Sequence, residues 1–300
     1  MSDSISVIIP TYKNRGGLIH SIESVLNQDF PNLEIIVVDD NGIGSPFQIA
    51  THEIVAKYPS VKYIAHNINR NGAAARNTGI KAATSSYIAF LDDDDIFLPG
   101  KLRKQIDYLK INNKYDACYC YTENPDGKRN IVIPYVGDVT EQLLVLKSAM
   151  PTSTLMFRTV ALEKIGGFDE SFRRHQDFEL LLRFFNAGFK IGCVEECLTR
   201  WGNNNGENIL HGQALEDMKT YYFSLFDKVI NELELTRPGI KKQIYAIHYS
   251  KVFVDHIKMH YWKKAVNILC RHFADNPKIF MNQIITTIKH LIEKQWDSVF

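Results

Sequence analysis

Four consecutive carboxylates, Asp92-Asp93-Asp94-Asp95, interrupt an otherwise apolar stretch running from Tyr87 to Pro99. Adjacent acids repel one another, and none can be buried ionised without a partner. A divalent cation is the simplest partner, and an all-oxygen donor set favours Mg2+ or Mn2+ over zinc. In an extended segment, side chains two apart share one side. The spacing therefore predicts that Asp92 and Asp94 face one ion while Asp93 faces elsewhere. A solvated acidic turn is the alternative. The apolar run in front of the acids favours the ion, because ligands in open α/β sheets gather at the carboxyl ends of strands. A second candidate is Asp177, at the start of an apolar helical pattern. It reads either as an acid stabilising a helix N-terminus or as a general base aimed into a cleft.

The elements that must hold these groups follow from periodicity. Strand-like runs at 4–10, 33–38, 61–65 and 87–91 alternate with helical patterns at 17–28, 47–57 and 71–81. Strand–helix alternation at this spacing predicts an α/β fold with a doubly wound, mostly parallel sheet. Residues 1–100 thus read as a nucleotide-binding half. The turn after the first strand, 10–17, is neither GxGxxG nor a Walker loop. That argues against a dinucleotide cofactor and against ATPase or GTPase chemistry. Phosphates would then be held by a metal on the acidic run. Residues 101–205 read as a second half, with helices at 101–111, 141–147 and 159–165. Its expected strands are 117–121, 131–134, 153–157 and 189–194, before a polar loop at 201–206. Residues 206–300 read as a helical extension, interrupted by Pro238 and Pro277.

Charge is divided unevenly. Residues 237–300 carry 11 Lys+Arg against 4 Asp+Glu, a net +7, and the first 236 residues carry 24 against 30, a net −6. The helical tail mixes aromatic residues with these cations, so it reads as a cap packed on the core or as a face for anionic lipid headgroups. The whole-chain charge of +1 gives no argument for nucleic acid, and no nucleic-acid partner is expected. Five cysteines without a CxxC suit reduced thiols rather than a disulfide framework or a zinc site. No apolar run approaches the ~20 residues of a membrane span, and the N-terminus shows no signal pattern. A cytoplasmic protein, peripheral on the inner membrane if bound to it, is the expectation.

Six segments in a fixed order resemble a known family. They are Ser6-Val7-Ile8-Ile9-Pro10-Thr11-Tyr12, Val37-Val38-Asp39-Asp40, Gly72-Ala73-Ala74-Ala75-Arg76-Asn77, Leu91 to Asp95, Pro151-Thr152-Ser153-Thr154, and Gly166-Gly167-Phe168-Asp169 up to His175-Gln176-Asp177. Together they look like the family 2 glycosyltransferases of GT-A fold, over about residues 4–205. The resemblance implies a UDP-sugar donor and an inverting single displacement. It implies that Pro10, Thr11 and Tyr12 line the base pocket, and that Asp40, with Asp39 beside it, accepts the uracil N3–H. Arg76 would lie near the nucleotide or its phosphates. Asp92 and Asp93 would reach the ribose or sugar, and Asp94, with Asp92, would hold Mn2+ or Mg2+. Asp177 matches the catalytic base. The family more often has Glu-Asp where this chain has Gln176-Asp177. Many members also place a His in the loop matching Trp201–Asn208; here that loop holds the Asn203–Asn205 stretch, with His211 just beyond.

The implied reaction moves a hexose or N-acetylhexosamine to a sugar acceptor. With the basic tail, a polyprenyl-diphosphate-linked intermediate of bacterial O-antigen or capsule is the expected acceptor. A nucleotidyltransferase is the rival enzyme class, but it would want a Gly-rich basic loop after the first strand. A non-catalytic metal- or sugar-binding module is the rival outside catalysis.

Overall fold

The computed structural model describes residues 3–13, 16–130, 133–202 and 210–296. The chain divides into two compact units, residues 1–140 with 148–207, and residues 141–147 with 208–300. A single cut near 205 is thus modified in one respect: 141–147 goes with the helices.

In the first unit the chain runs β1 (Ile5–Thr11), α1 (Leu18–Leu26), β2 (Leu33–Asp39), α2 (Pro46–Val55), β3 (Val61–Ala65), α3 (Gly72–Ala82) and β4 (Tyr87–Phe90). It continues through β5 (Ile96–Phe97), α4 (Lys101–Ile111), β6 (Ala117–Glu123), β7 (Arg129–Asn130), β8 (Met156–Arg158), α6 (Thr159–Lys164), α7 (Gln176–Asn186) and β9 (Ile191–Arg200); α5 (Thr140–Leu144) starts at the end of this unit and belongs from 141 onward to the second. The sheet order is β3-β2-β1-β4-β8-β6-β9-β5, with β7 on β6. β1 to β4 are mutually parallel, as are β6 and β9, while β8 joins β4 to β6 antiparallel. The strand residues Val7, Ile9, Ile35, Val37 and Ala89 bury one face against Leu18, Ile22 and Val25 of α1 and Leu102, Ile106 and Leu109 of α4. Local signals set the helix starts. Ser45 accepts the Gln48 amide ahead of Pro46 at the first turn of α2, and Asn71 accepts the Ala73 and Ala74 amides of α3.

Two expected strands differ. Residues 152–154 form a 3-10 turn, closed by Thr154 N donating to Pro151 O at 2.8 Å, and pairing begins only at Met156. Of the expected strand 131–134, Ile131 and Val132 lie outside the described residues, and the short strand β7 precedes them. The last strand runs on to Arg200, six residues beyond expectation, and pairs there with β5. That extension delivers Gly202 to the acidic run.

The second unit comprises α8 (Gly212–Thr236), α9 (Ile240–Lys258), α10 (Trp262–His272) and α11 (Pro277–Trp296), with 141–147. His248 on α9 meets the Leu144 carbonyl at 2.8 Å, and Arg237 pairs with Glu141, which ties 141–147 to the helices. The helical pattern over 240–273 is broken between α9 and α10, where His260 takes a φ of 59°. Pro277 does not end a helix but starts α11, where its missing amide costs nothing.

Candidate active site

β4 carries the acids to the carboxyl edge of the sheet. Leu91 N still donates to Ile8 O, at 3.0 Å, and the chain then turns, with Asp95 N donating to Asp92 O at 3.0 Å. The acidic run is therefore a turn, not an extended segment, and the expected alternation of Asp92 and Asp94 against Asp93 does not hold. The turn sends the carboxylates to different partners. Asp92 Oδ1 accepts from Arg76 Nη2 at 2.5 Å. Asp93 Oδ2 accepts from Thr11 Oγ1 at 2.5 Å. Asp95 Oδ1 accepts from Gly202 N at 2.9 Å. Repulsion is thus reduced by giving three of the acids separate donors on α3, β1 and the segment after β9.

The turn is also braced through its backbone. Asp92 N donates to Ser153 Oγ at 3.0 Å, and Ser21 Oγ donates to Asp95 O at 2.8 Å. Two glycines let neighbouring backbone come close. A Cβ on Gly17 would sit 2.5 Å from Asp93 O, and one on Gly202 would sit 2.0 Å from Asp94 O. Burial pushes the Asp93 carboxyl up to about 6, with Asp94 and Asp92 adding to it against the Thr11 hydrogen bond. Burial and then Asp92 push Asp95 up to about 7, against the Ser153 and Gly202 hydrogen bonds. Both shifts come first from burial and then from like charges crowded in one turn.

Among the described residues, no three His, Cys, Asp or Glu side chains are arranged to hold a metal. Asp92 and Asp94 supply two carboxylates, which suits Mg2+ or Mn2+ held by one or two acids and completed by water and substrate phosphates. Carboxylates crowded in one turn fit the same group.

On the other side of Arg76 lies α7. The guanidinium is buried, its Nη1 donates to Gln176 Oε1 at 2.8 Å, and it lies 5.5 Å from the centre of the Phe168 ring. Gln176 is fixed in turn, its Nε2 donating to Phe172 O at 2.7 Å. Arg76 thus joins the acidic turn to the residue next to Asp177. Asp177 itself sits in the first turn of α7, with His175 at the cap in the left-handed region, φ 55°. Its Oδ1 accepts from Phe178 N at 3.0 Å. The acid thus stabilises the helix end and feels the Arg76 guanidinium. Burial raises its pKa above the ordinary 3.8, while Phe178 N and Arg76 oppose the rise. As a general base Asp177 would work only when ionised, and activity would then be lost as pH falls through that raised value. The acid limb of kcat/KM against pH should therefore lie above the usual aspartate range. A profile still flat at pH 4 would remove Asp177 from the role.

The base-pocket residues divide. Tyr12 is exposed, with the Lys13 ammonium 5.2 Å from its ring centre. Pro10 is buried within β1 opposite Val38, and Thr11 is taken up by Asp93. Asp39 Oδ1 accepts from the backbone and side-chain nitrogens of Asn41, both at 2.8 Å, and Oδ2 accepts from Tyr63 OH at 2.7 Å. Asp40 carries four donors. Oδ1 meets His66 Nδ1 at 2.7 Å and Arg70 N at 2.8 Å, and Oδ2 meets Asn69 Nδ2 and Asn71 N, both at 2.8 Å. That fills the acceptor capacity of a carboxylate. In this conformation Asp40 ties down the loop after β3, and its four donors occupy the acceptor directions a base N–H would use. The loop amides at 70 and 71 need an acceptor, and Asp40 is the one at hand.

His211 lies in the helical unit, where its Nδ1 pairs with Asp255 Oδ1 at 2.6 Å. The Asn203–Asn205 stretch lies outside the described residues. Ser153, Gln176, Gly17 and Gly202 hold the site, yet none was assigned a role from sequence. Ser153 and Gln176 fall inside recognised motifs, but neither glycine carries a signal beyond being glycine.

The model of the family described as "Glycosyl transferase family 2" matches residues 6–167. The chain belongs to that family. An uncharacterized glycosyltransferase of Rickettsia prowazekii is 33% identical over 195 residues, covering 62% of this chain and 60% of that protein. A second, from Rickettsia felis, is 32% identical, and the match covers 34% of its length. The chain thus spans less than two thirds of either. The amylovoran biosynthesis glycosyltransferase AmsB of Erwinia amylovora is 29% identical over 225 residues, covering 69% of this chain and 74% of that one. Among solved structures, S. aureus TarS residues 1–349 in complex with UDP-GlcNAc aligns with a TM-score of 0.67 at 17% identity, covering 94% of this chain and 84% of that one. At that identity the likeness speaks for the fold, and the fold is the GT-A architecture expected from the motifs.

Proposed function

We propose that the protein transfers a hexose or N-acetylhexosamine from a UDP-sugar to a sugar acceptor with inversion. The observation that supports this most is the Arg76 bridge, which links the acidic turn through Gln176 to the helix bearing Asp177. Donor-side acids and base then belong to one site. Asp177 takes the proton of the acceptor hydroxyl as that oxygen bonds to the anomeric carbon, and the bond from that carbon to the diphosphate oxygen breaks on the opposite face. UDP leaves with both electrons. Arg76, buried and with one guanidinium edge on Asp92, offsets the charge growing on the diphosphate. Asp94 and Asp92 would hold Mn2+ or Mg2+, which supplies further stabilisation of that charge when bound. Tyr12 offers its ring to the uracil. Of the four donors on Asp40, the Asn69 amide comes from an exposed side chain. The uracil N3–H takes its place.

For the acceptor, AmsB is named for biosynthesis of amylovoran. A lipid-linked intermediate of a bacterial surface polysaccharide, O-antigen or capsule, is the class we assign by that likeness and by the basic C-terminal helices. Those helices would meet the cytoplasmic membrane surface. Among the described residues, no helix is long and apolar enough to cross a membrane. The donor is tested by thermal stability. UDP with Mn2+ should raise Tm markedly, and free sugar with Mn2+ should not. Stabilisation by a nucleoside triphosphate but not by UDP would point to nucleotidyl transfer instead.

A further inference from the structure

The second unit has more apolar surface than its own packing uses. α10 buries Ala265 and Ile268, and α11 buries Phe280 against Phe253 and Phe273. Other apolar residues on the same helices stay exposed. On α10 these are Trp262 and Val266, both 57% exposed and one turn apart. On α11 they are Met281 at 42% and Ile285 and Ile288 at 46%. The α11 spacing of four and then three places its set on a single face of that helix. A row of exposed apolar residues along one helix face is how an amphipathic helix enters an interface.

Charge says what binds. Between residues 258 and 289 there are six Lys or Arg, at 258, 263, 264, 271, 278 and 289, against one acid, Asp275. The excess is +5, and Lys263, Lys278 and Lys289 are exposed and lie within three residues of Trp262, Met281 and Ile288 along the chain. A second copy would set +5 against +5, so self-association is disfavoured. Scattered apolar side chains with Trp among them, flanked by lysines, are what a shallow lipid interface accommodates.

We propose that α10 and α11 form a docking surface for anionic phospholipid, with Trp262, Val266, Met281, Ile285 and Ile288 entering the headgroup boundary and the flanking lysines meeting phosphates. This deepens the lipid-linked acceptor reading and rests on it for its biological sense, but its test needs no sugar transfer. The full chain is sedimented with vesicles of phosphatidylglycerol and phosphatidylcholine in equal parts, and with phosphatidylcholine alone. Binding should require the anionic lipid and weaken with salt. Reversal of two exposed cations, Lys263→Glu with Lys278→Glu, should weaken it at least about 25-fold, at roughly fivefold per lysine. Trp262→Ser with Ile285→Ser keeps every charge and should also release the protein. Both variants alter exposed positions and should keep the wild-type response to UDP with Mn2+. Equal binding to both vesicle types would overturn the proposal. So would a dimer in sedimentation equilibrium that Trp262→Ser with Ile285→Ser dissociates while vesicle binding persists. Loss of the UDP response in wild type would sink the donor reading and leave the vesicle result standing.

Discussion

Asp177→Asn is expected to reduce transfer by about 10²–10⁴-fold, the range a positioned general base supplies, and to leave UDP affinity unchanged. The side chain keeps its size and can still accept the Phe178 amide through its carbonyl oxygen, so α7 should start where it does now. Arg76 also keeps its contacts, which are to Asp92 and Gln176 and not to Asp177. What disappears is the proton acceptor. Calorimetric UDP binding and single-turnover transfer, measured on one preparation, separate the two effects. If binding and turnover fell together, Asp177 would be a structural acid of the helix end and the displacement mechanism would lose its base.

Asp94→Ala carries the second large effect. UDP affinity measured with Mn2+ should fall by on the order of 10–100-fold, the loss typical of damage to a metal site. Affinity measured with a chelator should barely change, because the variant then lacks nothing the wild type uses. The sign follows from the charge of the turn. Asp93 and Asp95 are pushed up to about 6 and about 7 by burial and by their neighbours, so near neutral pH the turn gains from a cation. Unchanged UDP affinity of Asp94→Ala in Mn2+ would remove Asp94 as a ligand.

Much of this was legible before any coordinates. The β-branched runs are strands because both their faces are buried, and such runs need no tertiary information to recognise. Asp177 at the head of an apolar helix, and four acids after an apolar strand, are equally local. The errors came where structure is decided at long range. Two-residue alternation fails across Asp92–Asp95 because the backbone turns there, held by Ser153 and Ser21 from distant segments. Nothing in Val37-Val38-Asp39-Asp40 says that amides at 70 and 71 will claim Asp40. The two-residue strands β5 and β7 are too short to leave a period. The split between α9 and α10 turns on His260 adopting a backbone conformation that few residues other than glycine prefer.

The braces of the acidic turn bear on how the protein comes to life during synthesis. Thr11 and Arg76 leave the ribosome with or before the acids, but Ser153 follows 61 residues after Asp92 and Gly202 follows 107 after Asp95. A nascent chain halted near residue 150 would possess every strand of the parallel half, yet its carboxylates would lack two of their clasps. Competence to grip a donor should therefore arrive late and abruptly, once β9 has been threaded beside β6, rather than accumulate as the first hundred residues emerge.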